Sequence, residues 1–173
     1  MTGVQTCALP IFIDISHNIS GCNQVQGAFV LRNAWHRFPA GTIHLLSVGS
    51  SADLPPSLIV IEQDGHFFLG PDDGIFSLVF ETMSPMAFFI MNDKGEKVGV
   101  TSDMMAASAA YLARGGEASK MGARLEAPAT LTMLNPTVDD DCIRGSVLYV
   151  RSEEQTSELQ SHSFISYAVF CLK

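Results

Sequence analysis

The sequence predicts an α/β domain of three layers, with helices on both faces of a mostly parallel sheet. Three observations carry that prediction. Short apolar, β-branched runs alternate along the chain with segments whose apolar residues recur at helical spacing. The breaks between them are rich in Gly, Pro and Asp, as turns require. Finally, 47% apolar against 16% charged residues in a chain of 173 supports one ordinary buried core.

The elements follow in order. Phe12–Ile15 reads as the end of a buried strand, and His17-Asn18 as the turn after it. Asn23 is placed to cap a helix over Gln24–Trp35, with Val25, Ala28, Phe29 and Leu31 largely on one face. The cluster Phe38-Pro39-Ala40-Gly41 ends it. Thr42–Val48 is a buried strand and Gly49–Pro56 a loop. Leu58–Glu62 and His66–Leu69 read as two strands joined across Gln63-Asp64-Gly65, a turn with the Asp-Gly hairpin signal. Pro71–Gly74 turns into a short helix over Ile75–Phe80, and Met86–Met91 is a further strand. Asp103–Arg114 is a helix stopped by Gly115-Gly116. Asp139–Asp141 falls in a polar linker before a strand at Ile143–Val150.

Composition removes several function classes. Ten basic against eighteen acidic residues give a net charge of −8, which argues against a nucleic-acid surface. No apolar run reaches the roughly 18–20 residues that span a bilayer, so no membrane partner is expected. Residues 1–15 carry no Lys or Arg, against a secretory signal. The four cysteines form no CxxC pair and share no ligand spacing with the five histidines. A reduced cytoplasm is the expected compartment, and neither a metal nor a cofactor is expected.

The two ends of the chain are related through DNA. The reverse complement of a coding strand for the opening MTGVQTCALPI encodes RSEEHTSELQ, and Arg151–Gln160 differs from that only at Gln155. Two ends of one natural domain have no reason to encode complementary strands. Residues 1–11 and 151–173 therefore read as translated sequencing adapter, with Ile165–Lys173 its continuation.

No GxGxxG, P-loop, HExxH or GxSxG is present. His17 follows a strand end, where active sites of open α/β sheets gather, but a histidine so placed is more often a turn residue bonded to local backbone. His36, His44 and His66 are scattered and read as structural or exposed. Gly49, Ser50 and Ser51 follow a buried strand, and their N–H groups face either a ligand or solvent. Asp139–Asp141 reads as a solvated linker before a cation site, and Asn18-Ile19-Ser20 as an unused glycosylation pattern.

The run FIDISHNISGCNQVQGAFVLRNAWHRFPAGTIHLLSV (Phe12–Val48) resembles the S-adenosylmethionine hydroxide adenosyltransferase family, which includes the fluorinases and chlorinases. The likeness continues in GHFFLGPDDGIFSLVFE (Gly65–Glu81), SDMMAASAAYLARGG (Ser102–Gly116) and IRGSVLYV (Ile143–Val150). It implies an N-terminal α/β/α domain over residues 12–136, truncated at its start. Residues 137–150 would be a linker and the first strand of a C-terminal β-barrel that is otherwise absent. It further implies a homotrimer with sites between subunits. The substrate would be S-adenosylmethionine, cleaved at the ribose C5′ by water or a halide.

The resemblance also locates departures. The family's ribose-anchoring TDFG would precede Phe12. The catalytic Asp of its DPGVG turn aligns with Gly49, and the following Arg falls near Pro55-Pro56. The His of FHGRD falls on Val100, leaving Asp103 of that motif, and the Asp of PPFDV is Asn23. No catalytic residue is thus assigned, and the chain is expected to be inactive. Gly49, Ser50, Ser51 and Thr101, the last at the halogenases' serine, are the expected substrate-binding residues. The alternative reading is a non-catalytic relative that binds an adenosyl ligand or serves in assembly.

Overall fold

A computed structural model describes residues 11–19, 23–48, 56–80, 86–92, 94–132, 137–138, 142–145 and 168–171. Its centre is a five-stranded sheet in the order β1-β3-β2-β4-β5. The strands are β1 (Ile43–Leu45), β2 (Leu58–Gln63), β3 (His66–Pro71), β4 (Met86–Phe89) and β5 (Arg124–Leu125). Helices α1 (Gln24–Ala34), α2 (Ile75–Val79) and α3 (Ser102–Ala113) complete the layers.

The sheet explains itself from the hairpin outward. Asp64 and Gly65 both have positive φ, 51° and 76°, the backbone of a type I′ turn. That turn matches the strand twist and fixes the register Gln63↔His66 through Leu58↔Pro71. Residues of β2 then alternate between two cores: Ile59 and Ile61 face one, Leu58 and Val60 the other. The first core is covered by α1 and α2 through Ala28, Leu31, Ile75 and Phe76. The second is covered by α3 through Met105 and Leu112. Both faces of the sheet are therefore sealed, and the three-layer α/β prediction holds.

The predicted strand direction needs correction. Only β1 and β3 pair in parallel, while β2–β3, β2–β4 and β4–β5 are antiparallel, so the sheet is mixed and not mostly parallel. The hairpin forces the first reversal, and β4 returns beside β2 in the opposite sense.

Phe12–Ile15 is also not a strand. It has no ladder partner among the described residues, and Phe12 and Ile13 are exposed. A segment with strand composition is a strand only where a neighbour supplies the hydrogen bonds.

A second sheet runs β6 (Thr137–Val138), β7 (Cys142–Gly145), β8 (Ala168–Cys171), antiparallel throughout. Strand β7 covers the start of the predicted strand at Ile143–Val150, whose remainder lies outside the described residues. Strand β8 lies inside the segment that reads as adapter. Ala-Val-Phe-Cys is apolar and β-prone, which suffices for its backbone to pair with β7 whatever its origin. Asp139–Asp141 lies outside the described residues.

Candidate functional site at the carboxyl end of the parallel pair

Open α/β sheets place ligands beyond the carboxyl ends of their parallel strands. Here β1 and β3 point to one such end, and three distant segments meet there.

The first is the start of α1. Asn23 caps it as the sequence predicts, its Oδ1 accepting from the Gln26 N–H at 2.9 Å. Beside it the Gln24 amide donates to Asp73 Oδ2 at 2.6 Å.

The second is the turn after β3. Asp73 Oδ1 accepts from the Ile75 N–H at 3.1 Å and so caps α2, while Asp72 Oδ1 accepts from the Ala129 N–H at 2.8 Å. Gly74 follows them at φ +94°, with Leu131 packed where a Cβ would lie. Sequence reasoning does not single out these two carboxylates. The turn signal of Pro71-Asp72-Asp73-Gly74 points to them, but only the fold shows that they bind α1 and the 129–131 segment.

The third is the start of α3. Ser57 forms an isolated bridge with Gly99 and its carbonyl accepts from the Asp72 N–H at 2.9 Å, which sets the entry to α3 beside the turn after β3. The Val100 N–H donates to the Pro56 carbonyl at 3.1 Å. Thr101 Oγ1 then accepts from the Met104 N–H at 3.3 Å, making Thr101 the N-cap of α3. Thr101 is exposed, and its hydroxyl hydrogen remains available to a ligand.

Gly49, Ser50 and Ser51 lie outside the described residues. The described chain on either side of them ends at Val48, which packs against Gly27 of α1, and resumes at Pro56, which is bonded to Val100. Both anchors of the loop therefore adjoin the helix N-termini, where partial positive charge collects.

The histidines divide. His17 is exposed, and its Nδ1 pairs with the Asp14 carboxylate and not with backbone. His36 is exposed beside a cleft at the hairpin end. His44 and His66, scattered in sequence, are both buried and joined by a 3.2 Å contact between His44 Nε2 and His66 Nδ1. Burial lowers the His44 pKa to about 4, and charge on His66 adds to the effect. The register His44↔Phe68 creates this pair, and no local sequence signal announces it. Among the described residues, no three His, Cys, Asp or Glu side chains are grouped to hold a metal ion.

Residues 4–122 match the SAM hydroxide adenosyltransferase N-terminal domain, a range that begins inside the segment that reads as adapter. A stretch of 72 residues is 38% identical to the (R)-S-adenosyl-L-methionine hydrolase of Methanocaldococcus jannaschii, covering 41% of this chain and 27% of that protein. A conserved uncharacterised protein from Thermotoga maritima superposes with a TM-score of 0.67 at 26% identity, over 81% of this chain and 56% of the other. A conserved hypothetical protein from Thermus thermophilus shares the fold, with a TM-score of 0.59 at 23% identity, over 70% and 49%. The chain thus spans about a quarter of the curated relative and about half of each solved structure.

Proposed function

Since the chain belongs to the SAM hydroxide adenosyltransferase family through its N-terminal domain, we propose that the carboxyl end of β1 and β3 holds S-adenosylmethionine as substrate. The observation that carries this reading is the meeting of the α1 and α3 N-termini with the anchors of the 49–55 loop. Helix N-termini favour an anionic or hydroxide-like nucleophile. Gly49, Ser50 and Ser51 supply N–H and hydroxyl donors, and Thr101 adds a hydroxyl. The Asp72 and Asp73 carboxylates at the same end suit a cationic sulfonium.

In the whole protein the reaction is attack of water oxygen on the ribose C5′. The C5′–S bond breaks, its electron pair returns to sulfur, and a proton leaves the attacking water. The products are adenosine and L-methionine. The sulfonium is a good leaving group, so the protein's part is to orient and partly desolvate the nucleophile.

By the family resemblance, Gly49 and Val100 stand where the family has its catalytic Asp and His. This chain therefore binds without appreciable turnover, since loss of one well-placed catalytic group commonly costs about 10²–10⁴ in rate. The second reading, a relative that binds an adenosyl ligand without catalysis, rests on the same two positions. The whole protein works in the cytoplasm as a homotrimer, with no nucleic acid, membrane or cofactor partner.

Calorimetry with S-adenosylmethionine and chromatography of the products test the proposal. Heat of binding without adenosine above a no-protein control is the expected result. Heat-sensitive adenosine release overturns the claim of inactivity, and no binding at millimolar ligand overturns the site.

A further inference from the structure

Away from the proposed substrate site, at the hairpin end of the sheet, two imidazoles are buried with no charged partner for either among the described residues. His44 and His66 are 4% and 5% exposed. They are enclosed by rings: His44 stacks on Phe68 with centroids 4.7 Å apart and meets Phe38 edge-on at 5.6 Å. Trp35 lies edge-on to His66 at 5.3 Å and to Phe68 at 5.6 Å. Beside Trp35 opens a cleft of about 440 Å³, lined also by His36, Gln63, Asp64 and Phe80, so water reaches the rim of the ring cluster.

We propose that the His44–His66 pair is a proton-operated latch: neutral, it holds the starts of β1 and β3 together beneath Trp35; protonated, it releases that end of the sheet. The 3.2 Å contact requires one ring nitrogen to donate and the other to accept. When each imidazole has gained a proton, all four nitrogens are donors and no acceptor remains between them. Two like charges then face each other inside an aromatic wall, where the charged form is poorly solvated. Stacking on Phe68 gives an imidazolium some cation–π attraction. Burial outweighs it, and the His44 pKa falls to about 4.

The surrounding described groups do not supply a counter-charge within the cluster. The elements packed on this face contribute Arg32, His36 and Arg37 from α1 and the turn after it, and Asp64 from the hairpin. Glu62 alternates to the opposite face, and α2 (IFSLV) carries no titratable side chain.

The sign of the linkage is fixed. His44 titrates near 6.5 when unfolded and near 4 when folded, so between those values the unfolded chain binds the extra proton. Stability is complete above about pH 6.5 and declines as the pH falls towards 4. One such group lowers the folded-to-unfolded ratio by at most about tenfold per pH unit.

Trp35 is the single tryptophan, so its emission reports this end of the fold directly. The experiment is urea unfolding of the 173-residue chain from pH 7.5 to 4.5, followed by that emission, for wild type, His44→Phe and His36→Ala. The expected result is a wild-type loss across this range that His36→Ala retains and His44→Phe largely removes. A His44→Phe profile parallel to wild type overturns the latch. Imidazole C2-hydrogen exchange of the wild-type chain, read by mass spectrometry, decides the matter if that variant does not fold. A His44 midpoint well below 6.5 supports the latch. A midpoint at or above 6.5, with Trp35 emission still native, overturns it.

Discussion

Gln24 donates its side-chain amide to Asp73 across 2.6 Å, joining the first turn of α1 to the turn that follows β3. The two residues are far apart in sequence, yet the bond sits where β1 and β3 end. Asp73 uses its second oxygen on the Ile75 N–H, so one carboxylate positions α1 and starts α2.

Replacing Asp73 therefore removes two bonds at once. Asp73→Ala is expected to cost about 1–3 kcal/mol, a cap plus a charge-assisted hydrogen bond. Asp73→Asn keeps an acceptor for Ile75 and should lose less. Urea unfolding of the two variants checks the order. Equal losses would show that the cap on Ile75 carries no weight, and no loss in Asp73→Asn would show the same of the link to α1.

Thr101 holds a helix cap and a place in the proposed site, and the two roles separate by substitution. Thr101→Val should lower stability by about 1 kcal/mol through loss of the bond to Met104, and Thr101→Asn should restore it, since Asn also caps. Affinity for S-adenosylmethionine, compared at matched stability, is expected to fall in both variants because neither keeps the hydroxyl. Unchanged affinity in both would leave Thr101 as a cap alone.

Gly74 is required for two reasons. Its φ of +94° disfavours any side chain, and a Cβ there would stand 2.6 Å from Leu131 Cγ and 3.0 Å from Leu131 N. Gly74→Ala should cost about 1–3 kcal/mol. Adding Leu131→Ala relieves the side-chain contact and leaves the backbone strain and the close Leu131 nitrogen, so thermal denaturation should show only partial recovery.

The legible parts of this chain are those encoded within a few residues. Asn23 as a cap, the Asp-Gly hairpin turn after β2, and the long helix expected over Asp103–Arg114 each rest on local chemistry, and each is found, the helix one residue earlier at Ser102–Ala113. Strand direction is different, because an apolar run such as Leu58–Ile61 reads the same whether its neighbour is parallel or antiparallel. Phe12–Ile15 has the composition of a strand but no described partner, and β5 is two residues long with no pattern to detect. At the proposed site, the family resemblance points to Thr101, which the structure shows as the cap of α3, and local sequence does not point to the contacts of Asp72 and Asp73. Their partners lie 57 and 49 residues away, beyond any local motif. The His44–His66 pair is invisible for the same reason.

The β2–β3 hairpin has one more implication, for synthesis in the cell. Its strands and turn are contiguous, so it forms early, and α1 has already left the ribosome to cover one side. The other side, with Leu58, Val60 and Leu69, waits for α3, which is made later. During that interval the nascent chain presents an uncovered β-surface that is apolar apart from Glu62 at its end, the kind that recruits chaperones or self-associates. Lesions at Met105 or Leu112 of α3 prolong the interval and so reduce soluble yield beyond what their equilibrium stability alone would give.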